Sequence, residues 1–141
     1  MRCNISFVMP LALLLALGGC ASTNSRVLDS DAKAQLEQRS YQSRVFDIQD
    51  TRPVLRNVIA TLQDLDFVID KSDATMGIVS ASKFDEMVTK ITVTVRSRGE
   101  RQVLVRANAQ YGNRPIENPV HYQDFFASLE KSLFLAANAV E

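Results

Sequence analysis

Cysteine is almost missing from this 141-residue chain: there are two, Cys3 and Cys20, and none from residue 21 onward. A domain built from residues 21–141 therefore has no disulfide staple, no thiolate nucleophile and no cysteine set for zinc. Histidine occurs once, as His121, which excludes a histidine-based metal site and a second imidazole for acid–base work. A serine nucleophile paired with His121 lacks the Gly-x-Ser-x-Gly elbow that would present it. The five glycines form no phosphate-cradling loop. Charge of one sign is not in excess either, because 16 basic residues balance 16 acidic ones and leave no net field to draw nucleic acid. No apolar run approaches the roughly 20 residues of a spanning helix. These absences leave no catalytic residue, no metal ligand and no bound cofactor to assign.

What is present begins with a folded composition, 46% hydrophobic and 23% charged, which excludes disorder over most of the length. The first residues are organised differently. Arg2 gives a short positive start, and Ile5 to Leu17 is an almost wholly apolar stretch of the length of a signal-peptide core. It ends in Leu17-Gly18-Gly19-Cys20. That tetrapeptide resembles the lipobox of bacterial lipoproteins. The resemblance implies cleavage between Gly19 and Cys20, a diacylglyceryl group on the Cys20 sulfur and acylation of the new amine. Residues 1–19 are then a signal peptide, and the covalent lipid anchors the mature chain to a membrane. Position 21 is Ala rather than the Asp associated with inner-membrane retention, so the expected address is the cell outer membrane, with the domain facing the periplasm.

Residues 20–43 read as the lipidated cysteine and a tether: Ala21 to Ser30 is small and polar, and Asp31 to Tyr41 is either a short helix or more tether. Residues 44–141 read as one α+β domain. Arg44 to Ile48 predicts a first strand. Asp50 or Thr51 caps a helix whose Leu55, Val58, Ile59, Leu62 and Leu65 form one apolar stripe, with Pro53 in the first turn. Phe67 to Ile69 and Ile78 to Phe84 predict strands around a polar turn at 71–77, and Asp85-Glu86 a tight turn. Alternation then predicts two further strands, through Thr89, Ile91, Val93 and Val95 and through Val103, Val105, Ala107, Ala109 and Tyr111. Placing both apolar sets on one face pairs Val95 with Val103 across a three-residue connection, 98–100. Asn118-Pro119 starts a last helix, with a wide apolar stripe from Tyr122 to Val140 that Phe134 and Leu135 broaden. The expected fold is a single antiparallel sheet with two long helices packed on one face.

Three stretches, Val54 to Ile69, Met76 to Lys83 and Asn118 to Phe126, resemble a group of small proteobacterial outer-membrane lipoproteins. The "LQDL" helix, strand and "G-I-V" order is also similar to the helix-grip domains of the C lipoprotein of the outer-membrane β-barrel assembly machinery. The resemblance implies a helix-grip-like fold and a role in envelope assembly or maintenance, and carries over no functional residue.

Asp64, Asp66, Asp70 and Asp73 lack the alternate spacing and mid-loop glycine of a calcium loop. One grouping stands out. Lys90, Arg96 and Arg106 share the polar face of the predicted hairpin, with Arg98 and Arg101 at its tip, a patch suited to an acidic protein partner or to phosphates. The leading expectation is a non-enzymatic lipoprotein acting as an adaptor in an envelope complex. The alternative is a carrier or sensor of an apolar ligand, in a cleft lined by Phe84, Tyr111, Phe125 and Phe126.

Overall fold

The computed structural model describes residues 23–139, with side chains from Asp31 onward. The expected signal peptide at residues 1–19, the expected lipidation site Cys20, and Val140 lie outside the described residues. The elements are α1 (Thr23–Gln42), β1 (Ser43–Phe46), α2 (Thr51–Asp64), β2 (Val68–Asp73), β3 (Ile78–Phe84), β4 (Val88–Arg98), β5 (Gln102–Tyr111), β6 (Arg114–Pro115) and α3 (Pro119–Ala137). The fold is α+β, with one antiparallel sheet of order β1-β5-β4-β3-β2 and β6 beside β5. The chain divides after Ala34, and the unit from Gln35 onward contains the whole sheet. That unit takes in Tyr41 and Gln42, ahead of the boundary at 44 that the sequence suggests.

α1 replaces the flexible tether expected over residues 23–30. No glycine or proline interrupts Thr23–Gln42, and its second half is rich in Ala, Gln, Leu, Glu and Arg, all good helix formers. α2 starts where the sequence indicates: the Asp50 carboxylate accepts from the Arg52 N–H at 2.9 Å. It ends in a Schellman motif, with the Asp66 N–H on the Gln63 carbonyl and the Phe67 N–H on the Leu62 carbonyl. Asp66 takes the left-handed position, φ 64°, that glycine usually fills. β1 and β2 stand at opposite edges, so the connection through α2 must cross the sheet. Four strand spacings come to about 19 Å, and a 14-residue helix to about 21 Å, so the helix is long enough for the crossing.

Strand alternation sets the core as expected. Val79, Ala81, Ile91, Val93, Val95, Val103, Val105 and Ala107 are buried on one side of the sheet. They join Val54, Leu55, Val58 and Leu62 of α2 and Tyr122, Phe125, Phe126, Leu129 and Leu133 of α3 in one cluster. The hairpin register differs from the expected one: Val95 pairs with Val105, Arg98 with Gln102, and the connection is Gly99-Glu100-Arg101. Gly99, at φ 68°, makes the turn that closes this loop. β2 runs on to Asp73, where the Asp73 carboxylate accepts from the Thr75 and Met76 N–H groups and folds the turn into β3.

α3 begins as predicted, the Asn118 side chain accepting from the Val120 N–H with proline at the first position. Its C-terminal part departs from the expectation of deep packing. Phe134 and Leu135 are 68% and 58% exposed, and burial ends at Leu133. The buried span from Tyr122 to Leu133 rises about 17 Å, so the helix continues past the core that would cover its last turns.

Candidate functional site

The even-numbered positions of β4 and β5 face away from the core. Lys90, Thr92, Thr94, Arg96 and Arg98 lie on β4, with Leu104, Arg106 and Asn108 on β5. Arg96 stands opposite Leu104 and Arg106 opposite Thr94, so the two guanidinium groups are diagonal neighbours lining one shallow groove with Thr92 and Asn108. A second groove shares Thr92 and Asn108 and adds Lys90. A third adds Phe84, Val88 and Asp70 to Lys90. The grooves run together along the outer face, from the apolar β3–β4 end toward the basic hairpin tip, where Arg101 lies in the turn. Among the described residues no carboxylate lies within 4.0 Å of Lys90, Arg96, Arg98, Arg101 or Arg106; the ion pairs are Arg44–Glu130 and Lys83–Asp66.

Phe84 belongs to this outer face. Its position on β3 alternates away from Ala81 and Lys83, and it is 67% exposed next to the outward-facing Val68. It therefore does not line a cleft on the core side, as the sequence reading has it. Phe126 does not either, because it is buried beneath the Arg44 guanidinium, 5.1 Å from its ring centre. Arg44 also binds Glu130 at 2.9 Å, and these two partly exposed contacts tie β1 to α3 at about 1 kcal/mol together.

A cleft does exist on the core side, about 680 Å³ in volume, between the end of α2, the sheet and the first turns of α3. Phe67, Ile91, Tyr111 and Phe125 give it apolar and aromatic walls, and Tyr122 closes its floor. Lys83, Asp85, His121 and Asp124 also line it, and all but Lys83 are exposed, which places them at its rim. The Lys83 ammonium donates to the Leu65 carbonyl at 3.3 Å and lies 3.8 Å from the Asp66 carboxylate. The sequence reading named Tyr111 and Phe125 here and missed the polar rim. The signal was present in Lys83, which shares the core-facing register of Val79 and Ala81: a lysine in that register marks a place where the core opens to water.

Tyr122 fixes this end of the molecule. Its hydroxyl donates to the Ile116 carbonyl at 2.8 Å and accepts from the Ala109 N–H and the Gln42 amide, each at 3.2 Å. It thereby satisfies the edge of β5 between β1 and β6, where no strand pairs. Tyr41 packs against it at a tilt of 46°, with ring centres 5.4 Å apart. Burial pushes the Tyr41 phenol above its usual 10.0, and Tyr122, Glu117 and Glu37 add to the shift.

No protein-family model matches the chain, and no curated protein is similar to it in sequence. Function therefore rests on the residues themselves. Three of the four Asp residues between positions 64 and 73 have structural uses: Asp66 ends α2, Asp70 accepts from the buried Ser82 hydroxyl at 2.6 Å, and Asp73 folds a turn.

Proposed function

We propose that the protein is a non-enzymatic outer-membrane lipoprotein, anchored through lipid on Cys20, that serves as an adaptor by docking an acidic partner protein on the outer face of its sheet. The observation that carries this reading is the row Lys90, Arg96 and Arg106, which lines connected grooves with no ion-pair partner among the described residues and reaches the exposed Phe84 at its Lys90 end. An aromatic anchor beside Lys90 at one end and two guanidinium groups at the other give the face both an apolar and a charged contact for a partner. The grooves demand no internal rearrangement, because the backbone beneath them is held by the β4–β5 ladder. In the same reading α2 and α3 both lie on the inner face in a helix-grip-like arrangement. The shared core of Val58, Leu62, Phe126, Leu129, Val93 and Val105 supports it.

A photo-crosslinking residue at Leu104, in membranes of cells expressing the full chain, should capture one dominant partner, and the same residue at Ala60 on α2 should not. Reversing Lys90, Arg96 and Arg106 to Glu should abolish the capture. Equal capture at both positions, or capture that survives the reversal, would sink the adaptor reading.

The cleft favours a second reading, a carrier or sensor of an apolar ligand. Its volume lies in the range of small-molecule sites, and its walls are mainly apolar.

A further inference from the structure

The cleft has a chemical selectivity written into its rim. Its walls include three aromatic rings, Phe67, Tyr111 and Phe125, a residue type whose π faces attract cations, and two carboxylate residues, Asp85 and Asp124, line the same space. Neither carboxylate has an ion-pair partner within 4.0 Å among the described residues. The lysine that lines the cleft is already engaged by the Leu65 carbonyl and by Asp66, which lies outside the lining. An anionic head group entering here would meet two carboxylates and one committed ammonium, with the His121 ring also at the rim. A cationic head would meet two acceptors and three aromatic rings.

Resting on the carrier reading above, we infer that the cleft binds an organic ammonium ion carried on an apolar body. The body displaces water from the Ile91 and Phe125 walls, and the ammonium lies between Asp85 and Asp124 at the rim. No covalent step is involved.

The test uses the full chain in dodecyl maltoside, whose head group is uncharged, with three probes of one shape: 4-phenylbutylammonium, 4-phenylbutyrate and 4-phenylbutanol. Backbone amide shifts of Ala109, Tyr111, His121 and Asp124 locate binding. The ammonium probe should bind about tenfold or more tightly than the carboxylate, as one cation–π contact and one rim carboxylate together supply. Asp85→Asn with Asp124→Asn, two exposed positions whose side chains make no hydrogen bond or ion pair among the described residues, should erase that preference while the alcohol binds as before. Ala109→Leu, which narrows the cleft at its wall, should weaken all three probes. Equal binding of the three probes would overturn the ammonium assignment and leave the carrier reading standing. Failure of every probe to shift those amides would overturn both.

Discussion

Gly77 is the residue where the backbone has least freedom. It is buried at φ 64°, its carbonyl accepts the Val95 N–H at 2.8 Å, and a Cβ there would stand 2.3 Å from the Val95 carbonyl oxygen. Neither atom can retreat without opening the contact between the β2–β3 turn and β4, so Gly77→Ala should cost at least about 2 kcal/mol, read as a lower urea midpoint. A wild-type midpoint in that variant would mean that the strand ends shift freely. Tyr41 makes a second residue-scale prediction. Its folded value is raised, so the neutral phenol is favoured by the fold, and that stability is fully present below the unfolded value near 10.0. As pH rises past 10.0 the unfolded chain loses the proton first, and stability falls until the folded value is passed. Tyr41→Phe should blunt this alkaline loss in denaturation series between pH 9 and 11.5, and an unchanged pH profile would refute it.

At the scale of elements, the apolar patterning of α3 predicts more packing than the molecule provides. Phe126 and Phe134 lie on the same helix, one buried and one exposed. Phe126→Ala should cost about 3–5 kcal/mol through the cavity it leaves, while Phe134→Ala should fall within about 0.5 kcal/mol. Comparable losses at both would show that the end of α3 is covered. The same pair explains what the sequence made legible. Caps are local chemistry, so Asp50 and Asn118-Pro119 place both helix starts correctly. Alternation is also local, so the buried set of β3, β4 and β5 can be read directly. Register is not local. Pairing Val95 with Val103 or with Val105 keeps the same side chains inward, and only the Gly99-Glu100-Arg101 loop decides between them. β6 is two residues long and includes a proline, too short for any periodicity. The outer basic row was legible because a two-residue register shift leaves Lys90, Arg96 and Arg106 on one face. The cleft rim was legible only at Lys83, because Lys83 and Asp85 at the end of β3 and His121 and Asp124 on α3 are far apart in sequence and meet only in the fold.

On the scale of the whole molecule, the proposed anchor and the proposed docking face are separated by sequence and by chemistry. Lipid on Cys20 would hold the chain through acyl burial, at about 0.8 kcal/mol per CH₂, a contribution that salt does not screen. The outer face would act through charges that salt does screen, over about 8–10 Å at physiological ionic strength. The two contributions should therefore come apart under mutation. Cys20→Ala should move the protein from the membrane pellet to the soluble fraction, with the domain's circular dichroism and urea midpoint unchanged. That soluble chain should still bind the isolated partner in vitro, more weakly as salt is raised. The charge-reversed chain should do the opposite, staying in the pellet after a high-salt wash while losing the partner. A Cys20→Ala chain that remains in the pellet after the same wash would show that the membrane is held by something other than the lipid, and a docking affinity independent of salt would remove the basic row from the interface.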